Sequence, residues 1–194
     1  MRQEAQVSAI SIFPVSIYVH RANEIDSDVN SEISNSIDRF TEQSIDCPWL
    51  GEQLKTTYRR SNAFDSLPAT KQMISSHIDK YLDSLGWNHG WKHQSSWFNF
   101  NGKNDFIFAH CHSKRLVSGV YYHQTIGRDG NIVFESPSIS LYSAPLARET
   151  MEMEHRIIPE KGMLILFPSF LRHRVDVNKT EHTRISLSFN VDHD

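Results

Sequence analysis

The sequence predicts a mainly β protein: a sandwich or barrel with helices packed outside it. The second half carries about eight short strand-like runs at spacings of roughly 8–12 residues. Two amphipathic helical stretches precede them. No internal repeat or low-complexity segment interrupts the chain.

Residues 10–18 read as a short strand, broken at Pro14. Between Asp26 and Gln43, the apolar residues Val29, Ile33, Ile37 and Phe40 recur every three or four positions among Ser, Asn, Asp and Glu, which is the period of an amphipathic helix. Residues 47–58 are irregular, with Pro48 and Gly51 as breakers. After Pro68, the run Met73, Ile74, Ile78, Tyr81, Leu82 and Leu85 repeats at helical spacing and stops at Gly86. Residues 86–93 are rich in Trp and His. Gly86 and Gly90 argue against a helix that would pair His89 with His93, so the segment reads as an aromatic loop packed on the barrel.

The remaining elements are strands. They fall at 97–100, ending at the turn Asn101-Gly102, then at 106–112 and 116–123. The Asp129-Gly130 turn leads into 131–134, followed by 138–142, 152–158, 163–167 before Pro168, and 183–191.

A chain of 194 residues suits one domain and buries roughly 70% of its unfolded surface, so its core needs no disulfide. With 39% hydrophobic and 22% charged residues, disordered and fibrous classes are excluded. A net charge of −3 lacks the basic excess of a non-specific nucleic-acid binder. Two cysteines, Cys47 and Cys111, suit a reducing compartment better than a secreted scaffold. The apolar run at 7–18 lacks a basic leader and a cleavage site, and no stretch approaches membrane-spanning length, so a cytoplasmic protein is expected. A homodimer is compatible with these properties.

Chemistry concentrates in a few segments. On a strand, residues two apart share a face with Cα atoms roughly 6–7 Å apart, so His110 and His112 project together and Cys111 points away as a packed thiol. Two imidazoles at that separation can converge on one metal ion. His173 lies 61 positions beyond His112, at the start of a returning strand after Pro168. Such a third ligand leaves coordination positions open, a pattern suited to non-haem Fe(II). In 183–190, Ile185, Leu187 and Phe189 form one face, and Arg184, Ser186, Ser188 and Asn190 the other. Alternation alone favours solvent for the polar face. Turned into a barrel, it would offer Arg184 as a carboxylate clamp beside the Ser186 hydroxyl. Lys114 and Arg115 sit in the turn after the His pair, near the expected mouth; a solvated turn is the first reading for them, and recognition of an anionic substrate or peptide backbone the second. Lys55, Arg59 and Arg60 read as a solvated patch, and His123, His155 and His182 as structural.

The order His110-x-His112, Ser118-Gly119-Val120-Tyr121-Tyr122, Phe167-Pro168-Ser169…His173 and Arg184-x-Ser186-x-Ser188-Phe189-Asn190 resembles the Fe(II)/2-oxoglutarate-dependent oxygenase superfamily, and most of all a subgroup known from bacteria and marine phages. The resemblance covers about residues 95–191. It implies a double-stranded β-helix (jelly roll) with N-terminal helices packed outside: a single domain, with 1–94 as support and 95–191 as catalytic core. It further implies Fe(II), 2-oxoglutarate and O2 as cofactors and co-substrates, with His110, His112 and His173 as metal ligands. Arg184 would pair with the far carboxylate of 2-oxoglutarate, assisted by Ser186, Tyr122 and Asn99, and Trp97 would line the substrate pocket with Lys114 and Arg115. Most of the superfamily carries Asp or Glu where this chain has His112. Two alternatives stand beside this one: a cupin-like three-His metalloenzyme without 2-oxoglutarate, and a non-catalytic jelly-roll binding module.

Overall fold

The computed structural model describes residues 14–47, 54–112, 114–138 and 152–194. In chain order its elements are β1 (Tyr18–His20), α1 (Ser27–Gln43), β2 (Ile45–Asp46), β3 (Lys55–Thr56), a 3-10 turn (Ala63–Ser66), α2 (Pro68–Ser84), β4 (Trp91–Asn101), β5 (Ile107–His110), β6 (Val117–Gln124), β7 (Ile132–Glu135), β8 (Glu154–Ile157), β9 (Leu164–Pro168), β10 (His173–Val175) and β11 (Arg184–His193). A larger sheet runs β1-β9-β6-β11-β4-β3-β2 and a smaller one β5-β10-β7-β8; the described pairings are antiparallel. Sequence-distant strands interleave in both sheets, as in a double-stranded β-helix.

The helices form as their sequences dictate. Asp26 caps α1, its carboxylate accepting from the N–H groups of Asp28 (2.9 Å) and Val29 (3.1 Å). Glu32, on α1, reaches across to the start of α2. There it accepts from the backbone N–H of Ala69 and Thr70 and from the Thr70 hydroxyl, which satisfies donors that a helix N-terminus leaves open. The joined pair buries Val29, Ile33, Phe40, Ile74, Ile78 and Tyr81 against one face of the larger sheet, where Phe98, Tyr121, Leu166, Leu187 and Phe189 await them. Strand alternation sends Val120, Tyr122, Ile165 and Phe167 to the opposite face, where they meet Ile132, Phe134 and Ile157 of the smaller sheet. One side of the larger sheet is thus sealed by helices, and the other is left to enclose a cavity.

Gly119 makes the helix-side packing possible. A Cβ there would lie 2.2 Å from Phe189 Cζ and 2.8 Å from Leu166 Cδ2.

Several boundaries differ from the sequence reading. β4 starts at Trp91 rather than 97, because its first residues pair with the chain's last strand (Trp91 opposite His193) and not with a local neighbour. Residues 91–93 are therefore strand, and only 86–90 remain a loop. The irregular segment 47–58 contributes β3, which adds to the edge of β4. β5 ends at His110, short of the predicted 112. The strand predicted at 138–142 lies outside the described residues except Ser138, which is not in a strand, and of the one predicted at 10–18 only 14–18 are described. Among the described residues, no helix is long and apolar enough to cross a membrane.

Two outcomes follow from this packing. Gly119→Ala should destabilise the protein by about 1–3 kcal/mol through overpacking, read from urea unfolding. His77, bonded at Nδ1 to the Tyr18 hydroxyl, and His93, bonded to Ser75, are each pushed down to about 4, chiefly by burial. His20 and Lys80 add to the effect at His77, and Lys71 at His93. In the unfolded chain both titrate near 6.5, so between about pH 6.5 and 4 the unfolded state takes up protons that the native state refuses. Stability should therefore fall as pH falls through that window. The urea midpoint should drop from pH 7 to pH 5, and drop less in a His77→Gln/His93→Gln variant.

Candidate metal centre

Three imidazoles meet at one end of the gap between the sheets. His173 opens β10 directly opposite His110, the last residue of β5, so register alone brings these two together. His112 lies beyond the end of β5 and is placed by a different device: its N–H donates to the carbonyl of Ser169 (2.8 Å) in the turn after β9. The ring centroids of His110 and His173 are 4.3 Å apart, those of His110 and His112 5.0 Å, and those of His112 and His173 5.5 Å. One ligand atom from each lies within 4.8 Å of the others.

The surroundings prepare these rings to bind a cation. His110 Nδ1 lies 2.8 Å from the Phe108 carbonyl, and His173 Nδ1 2.9 Å from that of Leu171. A carbonyl only accepts, so each Nδ1 carries the proton and each Nε2 keeps its lone pair free. Burial holds all three rings neutral: His173 is pushed down to about 3, helped by His110, and His112 to about 4, helped by His110 and Arg115. His110 is lowered as well, by burial and by Arg172. Edge-on contacts from Phe167 to His173 (4.7 Å) and from Trp97 to His112 (6.3 Å) wall the cluster.

No carboxylate joins the cluster among the described residues. The acidic residues nearest the relevant segments are committed elsewhere: Glu135 to Arg172, Asp176 to Arg174, and Asp105 to the Gly102 N–H. The donor set is three neutral nitrogens, which suits a divalent first-row metal such as iron.

The sequence motifs touch one another in the fold. The Ser118 hydroxyl donates to Asn190 Oδ1 (2.7 Å) and lies 2.8 Å from the Ser169 hydroxyl. A buried chain thus ties β6 and β11 to the turn that carries the carbonyl bonded to His112.

From the cluster, a cavity of about 230 Å³ open to water-sized molecules extends between the sheets. The polar face of β11 points into it. Arg184 (1% exposed) and Ser186 (4%) line the cavity, as do Ser188, Asn99, Tyr122 and Trp97. Arg184 Nη1 donates to the carbonyls of Gly130 (2.5 Å) and Asp129 (3.3 Å), while its Nε–H has no partner. No carboxylate lies within ion-pair distance of it among the described residues. Burial lowers its pKa, against the opposing pull of Tyr122, Asp129 and Asp105, but a guanidinium remains charged in proteins. Tyr122, whose ring centroid is 5.9 Å from the Arg184 carbon, is pushed up to about 12 and stays a hydroxyl donor. Asn99 accepts from Thr56 and gives one N–H to Ser188.

The sequence reading did not anticipate the cradle beneath Arg184. Gly130 sits at φ +103, and a Cβ there would lie 2.4 Å from the Asp176 carbonyl and 3.1 Å from Arg184 Nη1. The Asp129 carboxylate holds this turn through Thr125, Ile126 and His182. The only sequence signal was a turn dipeptide.

Other placements differ from expectation. Cys111 is exposed rather than packed, because β5 stops at His110 on the edge of its sheet, so the alternation that would pack the next residue is not continued. Lys114 is exposed and does not border the cavity. Arg115 lines an adjoining groove and is paired with Asp192 at 2.6 Å. Arg59 is exposed, as its grouping with a solvated patch expects, and also borders the cavity, which the sequence reading did not anticipate.

Residues 95–190 match the family model described as "Putative 2OG-Fe(II) oxygenase". Among curated proteins none matches the chain. Solved structures share the fold at low identity. A Pseudomonas putida prolyl-4-hydroxylase superposes with a TM-score of 0.62 at 15% identity, over 93% of this chain and 94% of that one. HygX from Streptomyces hygroscopicus, with nickel and 2-oxoglutarate bound, gives 0.63 at 13% identity over 92% and 83%. EctD from S. alaskensis, with 2-oxoglutarate and 5-hydroxyectoine, gives 0.63 at 12% over 92% and 72%.

Titration calorimetry with Ni(II) tests the cluster. His110→Ala, His112→Ala and His173→Ala should each weaken binding by at least about tenfold. His112→Asp, which puts an anionic oxygen in the same place, should retain it.

Proposed function

We infer that this protein, which belongs over residues 95–190 to the 2OG-Fe(II) oxygenase family, holds Fe(II) through His110, His112 and His173 and 2-oxoglutarate through Arg184. It is a 2-oxoglutarate-dependent dioxygenase. With Fe(II), 2-oxoglutarate and O2 bound, the site supplies hydroxylation of a substrate C–H bond while 2-oxoglutarate becomes succinate and CO2.

The chain's own contribution is position, charge and dryness. The carbonyls of Phe108 and Leu171 keep two imidazoles in the tautomer that presents Nε2 to the metal. Arg184 offers a fixed cation to the far carboxylate, already aimed by the Asp129 and Gly130 carbonyls. Ser186 and Tyr122 stand beside it as hydroxyl donors, and the remaining N–H of Asn99 faces the same cavity. Trp97 and Phe167 exclude water around the imidazoles. Cysteine usage and composition agree with a cytoplasmic location.

The single observation that carries this reading is a guanidinium only 1% exposed with no carboxylate within ion-pair distance among the described residues. Burying a charge without a partner costs several kcal/mol, and a dianionic co-substrate removes that cost. A three-His metalloenzyme without 2-oxoglutarate and a non-catalytic jelly-roll module both leave that guanidinium without an ion-pair partner among the described residues.

Arg184→Gln should abolish the heat of 2-oxoglutarate binding to the nickel-loaded protein, and succinate formation with Fe(II) should fall at least about a hundredfold. Unchanged co-substrate binding in that variant would refute the assigned clamp.

A further inference from the structure

The cavity beside the imidazole cluster is also bordered by Tyr58 and Arg59, which line the neighbouring groove with Arg60 and Arg115. Among the described residues, no Asp or Glu lines either the cavity or the groove, although the chain as a whole is acidic. Three other arginines near the site are occupied: Arg115 pairs with Asp192, Arg172 with Glu135, and Arg174 with Glu154 and Asp176, while Arg60 lines the groove but not the cavity. Arg59 has no such partner among the described residues, and its guanidinium carbon lies 5.3 Å from the centroid of the Tyr58 ring.

Its position is built rather than incidental. Arg59 holds a left-handed backbone, φ +62, rare for a residue with a side chain. The turn is clamped by Thr57, whose N–H donates to the Phe98 carbonyl, whose hydroxyl accepts from the Phe98 N–H, and whose carbonyl accepts from the Arg60 N–H. Tyr58 in turn packs edge-on against Trp97 at 4.8 Å, and Trp97 against His112. The backbone turn is thus fixed, and Arg59, exposed to solvent, extends from it beside a chain of ring contacts, Tyr58 to Trp97 to His112, that reaches the imidazole cluster. Backbone strain held in place beside a site is a mark of function.

Charge leads to the same conclusion. A divalent ion on three neutral imidazoles, Arg184 and a 2-oxoglutarate dianion together leave one positive charge, to which Arg59 adds a second in a cavity lined by no acid among the described residues. We propose that Arg59 determines substrate specificity: it takes the carboxylate or phosphate of a small primary substrate whose apolar body lies against Tyr58 and Trp97. This deepens the oxygenase reading and rests on it for the identity of the reaction. Preorganised guanidinium recognition of such anions is strong and geometrically selective.

Calorimetry on the full chain, loaded with Ni(II) and saturated with 2-oxoglutarate, tests the assignment with two probe pairs: benzoate against benzamide, and phenyl phosphate against phenol. At least one anion should bind about tenfold tighter than its neutral counterpart, and which pair shows the preference distinguishes carboxylate from phosphate. Arg59→Gln should remove the preference. Arg59→Gly, which suits the left-handed backbone, should remove it too, separating charge from strain. Lys80→Gln, which deletes a positive charge on α2 away from the cavity, should keep it. Equal binding of acid and neutral probes, or a preference that survives in both Arg59 variants, would overturn the proposal. The loading step separates the two readings. Heat from 2-oxoglutarate without anion preference defeats the Arg59 assignment alone. Absence of that heat defeats the co-substrate reading, and the probe comparison on the nickel-loaded protein still decides for or against Arg59.

Discussion

A charged guanidinium at the floor of a barrel, with no acid within ion-pair distance among the described residues, governs this architecture. Arg184 is buried with two backbone carbonyls meeting one of its nitrogens, its Nε–H left without a partner, and its side chain on the cavity lining. The carbonyls and the cavity both make demands on distant parts of the chain. The carbonyls come from a turn that requires Gly130 at positive φ and Asp129 as its internal brace. The cavity requires the inner face of β11 to be polar, in a strand whose outer face must still be apolar enough to carry two helices. Leu187 and Phe189 meet the second demand, and Arg184, Ser186 and Ser188 the first. A strand pointing its apolar side at solvent-facing helices and its polar side at the barrel interior reverses the usual pattern of a solvated sheet, and function supplies the reason.

That reversal also marks the limit of what could be read from the sequence. A period of two separates the faces of 184–190 but does not say which is enclosed, because alternation is the same either way. Only the ordered motifs, taken together as a resemblance, pointed the polar face inward. The helices were legible because their signals are local: Asp26 as cap, Pro68 as first residue, and apolar positions every three or four. The start of β4 was not, since residues 91–93 become strand only by pairing with residues about a hundred positions later. His110 and His173 could be matched as candidates by chemistry. The placement of His112 by a Ser169 carbonyl, and of Arg59 by Thr57 anchored on β4, rests on non-local backbone contacts that leave no pattern in composition or spacing. Cys111 shows the same limit from the other direction: strand alternation predicted a packed thiol, and the strand ended one residue too soon.

The three-imidazole cluster changes the electrostatics of the whole cavity. With a carboxylate in the second position, the metal site would carry one more negative charge. Here that charge is absent, the described lining holds no other acid, and the two lining guanidinium groups add to the metal rather than offset it. Such a cavity disfavours protonation of its own imidazoles and favours anions throughout, which is consistent with burial and neighbouring cations both lowering the histidine pKa values. The departure from the commoner ligand set and the anion-seeking character of the pocket are therefore one property.

The division of labour between the two faces of the larger sheet explains how such a charged cavity can be stable. Its energetic cost is borne by packing it does not touch: α1 and α2, locked to each other by Glu32, bury a continuous apolar layer on the far side of the same strands. Gly119 shows how closely the two faces are coupled, for it lies in β6 between Ser118, which is bonded to Asn190 and in contact with Ser169, and Val120, which lines the cavity. It has no side chain because Phe189 and Leu166 occupy that space. Filling it would push on the helices' side and shift the strand that helps to hold the His112 turn. The strand that carries the support also lines the site, so a packing defect on the outer face bears on the hydrogen bonds that hold the His112 turn.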